Sequence, residues 1–217
     1  MTAPARADAD RSAQRRREVC EAARRVICRK GLEVTTMRDI SREGGFTTGV
    51  LTHWFPDKQA VIHGAFAAAS DEWLADVRTR LARAQSAEDQ LVALVQVALP
   101  DDETRRAEWR LWSEMWTYAG RDTQFAARLV STDAMWEREI REVLEWARSA
   151  GVIGDVDIGV EAPVLARLID GLGLRAWLSG QWDEARDQLV AHLATLGMEQ
   201  RLQKRLRAPG NDTGGDR

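Results

Sequence analysis

Apolar residues recur along this chain at the three- and four-residue spacing of amphipathic helices, and alternating strand patterns are almost absent. Glycine and proline divide this pattern into segments, because glycine ends helices readily and proline cannot continue them. The pattern predicts an all-α fold of about nine helices. They cover approximately residues 12–31, 37–44, 47–53, 57–84, 87–99, 102–119, 122–150, 161–179 and 183–206.

The most informative segment covers residues 35–58, TTMRDISREGGFTTGVLTHWFPDK. Thr36 followed by Asp39 is typical of a capping box, in which side chains satisfy the free N–H groups at a helix start. Gly45 then ends this helix after two turns, and Thr47 begins the next one. A helix, a glycine turn and a second helix form the geometry that places a helix in the DNA major groove, although ordinary α bundles contain similar pairs.

This segment resembles the N-terminal domain of the TetR family of transcriptional repressors, over residues 16–66. The chain departs from the family at Gly44, Phe46 and Thr52, where alanine, valine and a tyrosine are usual, so the phosphate contact of that tyrosine is not implied here. The run from His53 to Phe55 looks closest to the BetI-like branch. The matching positions are Gly31, Thr35, Thr36, Met37, Ile40, Gly45, Thr47, Gly49, Leu51, Phe55 and Lys58.

The resemblance and the chemistry of the side chains together predict which residues contact DNA. Threonine hydroxyls can bond phosphates or bases, Leu51 and Thr52 offer methyl groups to thymine, and Lys58 brings charge to a helix start. Thr36 and Thr47 as simple N-caps, and Leu51 as a core residue, remain alternatives. The predicted set is Thr35, Thr36, Arg38, Thr47, Thr48, Gly49, Leu51, Thr52, His53 and Lys58.

Charge is distributed unevenly along the chain. The net charge is −3, which alone argues against a nucleic-acid-binding protein. Residues 1–60 carry 12 lysines and arginines against 8 acidic residues, whereas residues 61–217 carry 19 against 26. The asymmetry indicates one DNA-facing end on an acidic body. We expect a disordered arm over residues 1–11, a DNA-binding domain over 12–60, a ligand-binding and dimerisation domain over 61–207, and a disordered tail over 208–217.

Tryptophan is unusually frequent, with nine residues, eight of them between Trp73 and Trp182. Three lie at helical spacing on one face of the sixth helix, in a segment that resembles the tryptophan-rich helix of BetI-like regulatory domains. Aromatic rings bind cations over their faces, although a tryptophan stripe is often packed core. We predict a site for a hydrophobic, aromatic or quaternary ammonium effector, lined by Trp73, Trp109, Trp112, Trp116 and Trp136.

Dimerisation is expected because a single head offers too little contact area for selective binding to DNA. The segment VLARLIDGLGLRAWL, residues 164–178, resembles the penultimate helix of BetI-like proteins and carries glycines that allow close helix approach. The alternative is that these helices pack only within their own subunit. The predicted interface residues are Leu165, Leu168, Leu172, Trp177, Leu189, Leu193 and Leu196.

The remaining features exclude other protein classes. His53, His63 and His192 are scattered, and no metal-ligand spacing, serine elbow or phosphate loop is present, so we expect no enzyme, metal or cofactor. The N-terminus lacks the apolar segment of a secretory signal, which favours the cytoplasm and argues against a membrane partner. The predicted function is a dimeric, ligand-responsive regulator, with double-stranded operator DNA as its partner. An effector-independent DNA-binding regulator is the alternative.

Overall fold

The structure is a computed structural model, and it describes residues 3–207. Within that range the chain forms ten helices and no strand, which agrees with the predicted all-α class. The helices are α1 Ala3–Lys30, α2 Met37–Gly44, α3 Thr48–Trp54, α4 Lys58–Ala82, α5 Ala87–Ala98, α6 Glu103–Ala119, α7 Thr123–Ser149, α8 Ile158–Ser179, α9 Trp182–Thr195 and α10 Gln200–Arg207.

Two helix boundaries differ from the predicted ones. Residues 3–11, which we expected to form a disordered arm, are the first turns of α1. Alanine favours helix there, and Pro4 lies in the first turn, where the N–H that it lacks has no helical partner. The predicted helix over residues 183–206 is two helices, α9 and α10, because Gly197 between them has a φ of 91°. The predicted disordered tail, 208–217, lies outside the described residues.

The short helix α10 packs against α5 and α9 through both apolar and charged side chains. Leu202 and Leu206 are buried, at 2% and 3% exposed. Arg201 Nη2 lies 3.1 Å from Oε1 of Glu88 at the start of α5, and Arg205 pairs with the neighbouring Asp89. The apolar contacts supply most of the stabilisation, since exposed ion pairs contribute little.

The chain divides into two compact units. Neither unit begins or ends at residue 60, where the sequence predicts a domain boundary. Among the described residues, the first unit contains 3–73 together with Leu111–Ala126. The second contains Leu74–Arg110 and residues 127–207. The first part of α4 and the second half of α6 therefore belong to the same unit as α1–α3. Within this unit we call α1–α3 together with the start of α4, through Ala65, the head.

The head has its own hydrophobic core, formed by one face of α1 and the inner faces of the next three helices. Cys20 lies in this core, and burial raises the pKa of its thiol to about 11, which disfavours the reactive thiolate. Cys20 and Cys28 share α1, and neither forms a disulfide. The core residues are Val19, Cys20, Ala22, Ala23, Ile40, Leu51, Phe55, Val61 and Ala65.

In the second unit, Trp109 of α6 occupies a notch in α8. A Cβ atom added to Gly173 would lie 2.0 Å from Cζ2 of Trp109, so the indole fills the volume that a side chain would need. The ring of Trp182 lies 6.4 Å from that of Trp109, and the guanidinium of Arg106 lies 5.2 Å from the centroid of Trp182. No helix in residues 3–207 is long and apolar enough to cross a membrane.

Candidate DNA-binding surface and tryptophan site

The turn between α2 and α3 has the geometry that the sequence predicts. Thr36 caps α2 through a complete capping box with Asp39, and Gly45 ends that helix in the left-handed conformation, at φ 68°. Thr47 caps α3, its hydroxyl accepting a hydrogen bond from the N–H of Val50 at 3.2 Å. The Lys30 ammonium, together with the Thr36 hydroxyl, holds the pKa of the Asp39 carboxyl well below its usual range. These local contacts fix the entry points of both helices.

Most residues predicted to contact DNA form one exposed surface of the head. Thr52 uses its hydroxyl within its own helix, donating to the carbonyl of Thr48 at 3.1 Å. Lys58 is half-buried, and its Nζ donates to the carbonyl of Glu33 at 3.1 Å. The exposed members of the predicted set are Thr36, Arg38, Thr47, Thr48, Gly49, Thr52 and His53, and with Lys58 we call them the head surface.

Two predicted DNA contacts are contradicted by burial. Leu51 is 0% exposed and belongs to the head core, because the inner face of α3 must pack against its neighbours. Thr35 is 1% exposed, and its hydroxyl donates to the carbonyl of Gly31 at 2.6 Å. Neither side chain can reach a nucleic acid while the head remains folded. Leu51 supports α3 from inside, and Thr35 fixes the loop before α2.

Two exposed valines of the head are absent from the predicted DNA contacts. Val50 on α3 is 40% exposed, and Val34 before α2 is 60% exposed. Each lies directly before a residue that is buried, Leu51 and Thr35. For Val50 that adjacency is the signal in the sequence, because consecutive positions on a helix do not share a face and Leu51 takes the inner one. Val34 lies in the turn before α2, where helical spacing gives no signal.

Two of the predicted effector residues meet within the first unit. The rings of Trp73 and Trp112 lie 5.1 Å apart at an interplanar angle of 73°, in an edge-to-face arrangement. Both are half-buried, as is Trp116 one turn further along α6. Each indole of this pair keeps part of its surface exposed, and tryptophan rings can bind cations over their faces. Glu114 of the same helix lies against Gly31.

Trp109 and Trp136 belong to the second unit, and both are buried. Trp109 is 9% exposed and packs into the notch at Gly173, while Trp136 is 4% exposed. A ring that fills a notch in a neighbouring helix is closely packed, and the ligand role of these two tryptophans stays a prediction. The partly exposed members of the predicted set are Trp73, Trp112 and Trp116.

The predicted dimer residues are mostly buried within their own unit. Leu165, Leu172, Leu189, Leu193 and Leu196 are each 8% exposed or less, because α8 and α9 use these positions to pack against each other and their neighbours. Only Leu168 and Trp177 keep partial exposure. The apolar and glycine positions of α8 that are exposed or half-buried form a different line, which we call the α8 stripe. Its members are Val160, Val164, Leu168, Gly171, Leu174 and Leu178.

Two carboxylates in the second unit carry raised pKa values. Burial, with repulsion from Asp133, raises the pKa of Asp170 on α8 from its ordinary value of 3.8 to about 6. Burial also raises the pKa of Asp133 on α7. The folded chain therefore holds the Asp170 proton more tightly than the unfolded chain does. The contribution of this group to the free energy of unfolding is fully present below pH 4 and is lost as the pH rises through 6.

Asp170→Asn is therefore expected to raise the free energy of unfolding at pH 7 by about 1–3 kcal/mol, because it removes a charge from a poorly solvated position. The gain should shrink by about half at pH 5, where the wild-type group is protonated. Chemical denaturation at both pH values measures it. Asp155→Asn, at an exposed position, is the control and should change stability by less than about 0.5 kcal/mol. A gain at pH 7 that persists undiminished at pH 5 would contradict this account.

Comparison with known proteins agrees with this architecture. Residues 19–65 match the family model described as bacterial regulatory proteins, tetR family, and residues 87–197 match the model for the C-terminal domain of BetI-type transcriptional repressors. The chain belongs to the TetR family. It is a DNA-binding transcriptional regulator with a BetI-type C-terminal domain, not an enzyme, as the sequence predicts.

Named relatives extend this similarity over most of the chain. The HTH-type transcriptional regulator BetI of Cronobacter sakazakii is 32% identical over 178 residues, covering 77% of this chain and 81% of that protein. The Escherichia coli BetI is 29% identical over 191 residues, covering 83% and 92%. A transcriptional regulator from Saccharomonospora viridis, solved in complex with choline, superposes with a TM-score of 0.77 at 25% identity, over 84% of this chain and 96% of that one.

Proposed function

We propose that this TetR-family regulator is a repressor that binds a palindromic operator as a dimer in the cytoplasm and is released by a small cationic or hydrophobic effector. The observation that carries the proposal is the arrangement of the first unit. It holds both an exposed recognition helix and the half-buried Trp73–Trp112 pair. An effector can release DNA only by binding a conformation without DNA more tightly.

DNA binding by the head follows from the exposed side of α3. Thr48 and Gly49 at its N-terminus suit base edges, because a hydroxyl and a bare backbone can both approach the major-groove floor. Val50 adds an exposed apolar contact that fits a thymine methyl group. Arg38 on α2 and Lys58 at the start of α4 supply charge for phosphates.

The α8 stripe supports dimerisation through α8. Val160, Val164 and Leu178 are 55%, 46% and 70% exposed, which is unusual for aliphatic side chains on one helix. Gly171 lies between them with no atom within 4 Å of an added Cβ, so a second helix can approach closely there. The interface we propose therefore uses this stripe and not the buried leucines.

Leu178→Glu is expected to convert the dimer to a monomer at micromolar concentration, because it places an unpaired charge in the apolar stripe. Light scattering coupled to size-exclusion chromatography measures the mass. Val130→Glu is the matched control, since Val130 is 66% exposed on α7 and outside the stripe. A Leu178→Glu chain that elutes with the mass of the wild-type dimer would show that α8 does not form the interface.

The effector site is proposed to favour quaternary ammonium compounds over neutral ones. Electron-rich ring faces attract a cation. A desolvated cation over tryptophan is therefore expected to bind more tightly than a neutral group of the same shape, by ~1–2 kcal/mol of binding free energy. The structural relative from Saccharomonospora viridis is in complex with choline, which supports this chemical class. A flat hydrophobic molecule remains the second candidate for the same rings.

Choline and its uncharged carbon analogue, 3,3-dimethylbutan-1-ol, are the probes for this site. Saturable quenching of tryptophan fluorescence by choline is expected, with at least about tenfold weaker binding of the analogue. Trp112→Phe should weaken the choline response, whereas Trp146→Phe, at an exposed position on α7, should not. Equal binding of both probes would favour a hydrophobic effector. Release of operator DNA by neither probe nor by flat hydrophobic molecules would favour the effector-independent regulator.

A further inference from the structure

The carboxylate of Asp122, in the turn between α6 and α7, collects hydrogen bonds from three helices of the first unit. Its Oδ1 accepts the N–H of Phe125 at 2.9 Å and so caps α7. Its Oδ2 lies 2.8 Å from Nε2 of His63 and accepts from Nε2 of Gln59, also at 2.8 Å. Tyr118 at the end of α6 also bonds to it. One side chain therefore ties α4, α6 and α7 together.

The environment of this carboxylate keeps it ionised and largely enclosed. The backbone N–H of Phe125, and then the side chains of His63, Gln59 and Tyr118, hold the pKa of Asp122 well below its usual range. The side chain of Asp122 is only 10% exposed. Beside it lies an aromatic cluster in which Phe66 and Phe125 are fully buried and 5.1 Å apart. A partly buried charge with several donors holds its geometry far better than an exposed ion pair.

Asp122 connects the helix that carries Trp112 with the start of α4, which adjoins the head surface. Trp112 and Trp116 precede it on the last turns of α6. On α4, Gln59 follows directly after Lys58, whose ammonium bonds the carbonyl of Glu33 in the head. A displacement of the C-terminal end of α6 must therefore either carry the start of α4 with it or break the bonds to Asp122.

We propose that Asp122 is the positioning residue that couples the Trp73–Trp112 site to the head, through its bonds to Gln59 and His63. This inference rests on the proposed function and adds its transmission route. Asp122 is a member neither of the head surface nor of the Trp73–Trp112 pair. Because coupling between two sites is reciprocal, operator binding must change the surroundings of Trp112 through the same contact, and no effector is needed to detect it.

Asp122→Ser separates the two roles of the residue. Serine is as good an N-cap as aspartate, so it retains the bond to Phe125, but it is too short to reach α4. His63→Ala removes one partner, and His63→Gln restores a side-chain donor. Glu33→Gln is the matched control. It removes an ion pair in which Oε1 of Glu33 lies 3.7 Å from Nη1 of Arg121, and both side chains are more than half exposed. Such exposed pairs contribute little.

The measurement is ¹⁹F NMR of the chain labelled with 5-fluorotryptophan, with the Trp112 resonance assigned by Trp112→Phe. The DNA is a duplex enriched from a random-sequence pool by the wild-type chain. Saturation with this duplex is expected to shift the Trp112 resonance in wild type, His63→Gln and Glu33→Gln. The shift should fall at least about threefold in Asp122→Ser and His63→Ala, while operator affinity without effector stays within about threefold.

Two outcomes overturn the inference. One is a Trp112 shift that persists in both Asp122→Ser and His63→Ala. The other is a wild-type chain that binds the duplex with no change at Trp112. Failure of the wild-type chain to enrich or bind any duplex is a separate result. It contradicts the proposed DNA-binding function and not the coupling through Asp122. Thermal unfolding of each variant shows whether a lost shift reflects a lost fold.

Discussion

A methyl group added at Gly173 is expected to lower the free energy of unfolding by about 2–3 kcal/mol. The Cβ atom would lie 2.0 Å from Cζ2 and 2.1 Å from Cη2 of Trp109, and real Cβ atoms do not approach other atoms this closely. The indole is buried and cannot swing into solvent without losing its own burial. Urea denaturation of Gly173→Ala against wild type, at matched protein concentration, measures the loss.

The same helix provides a control for this prediction. In the Leu178→Glu background, where no second helix covers α8, Gly171→Ala adds the same methyl group two residues earlier, with no atom within 4 Å, and should raise stability of the chain by up to ~1 kcal/mol through helix propensity. In the double variant Gly173→Ala with Trp109→Phe, the loss should be smaller than the sum of the two single losses, because the smaller ring leaves room for the methyl group. Equal changes in stability from Gly173→Ala and Gly171→Ala, each measured against its own background, would show that Trp109 does not occupy the notch.

A carboxylate introduced at Thr48 is expected to weaken operator binding by about 10- to 100-fold, since it removes a hydroxyl from the base-facing end of α3 and repels the phosphates. The head should remain folded, because Thr48 is exposed and is the first residue of α3, where a negative charge is favourable. Fluorescence anisotropy with the enriched duplex, repeated at several salt concentrations, measures the affinity.

Ser131→Glu is the matched control for Thr48→Glu. It makes the same change of charge at an exposed position on α7, in the second unit. Its operator affinity should stay within about twofold of wild type at 0.15 M salt, where charges beyond ~8 Å are screened. If both variants weaken binding equally, the effect of Thr48→Glu comes from net charge and not from the position of Thr48.

The elements of the fold were predictable where the determining interactions are local. The capping box of Thr36 and Asp39 and the glycine turn at Gly45 involve residues a few positions apart, so the sequence shows them directly. The break at Gly197 was missed because apolar residues continue at helical spacing on both sides of it. The spacing of apolar residues predicts which face of a helix is buried. The backbone conformation of a single residue, here Gly197, decides whether the helix continues.

The candidate site was harder to predict because burial depends on distant partners. α3 has seven residues, too few for periodicity to show that Leu51 packs inward while Val50 is exposed. Trp109 and Trp112 are one turn apart on α6, yet Trp109 is buried by a glycine 64 positions away in the chain, Gly173. The role of Asp122 was not foreseen, since its partners Gln59 and His63 lie about 60 residues earlier.

The position of α10 affects how the protein folds during its synthesis on the ribosome. Glu88 at the start of α5 is separated by 113 residues from Arg201, its partner on α10. During synthesis α5 emerges from the ribosome several seconds before α10, at about 5–20 residues per second. Until then, the surface that will receive Leu202 and Leu206 is open to water or to chaperones. A chain interrupted before residue 200 keeps that apolar surface uncovered, which marks the unfinished protein for removal by cellular quality control.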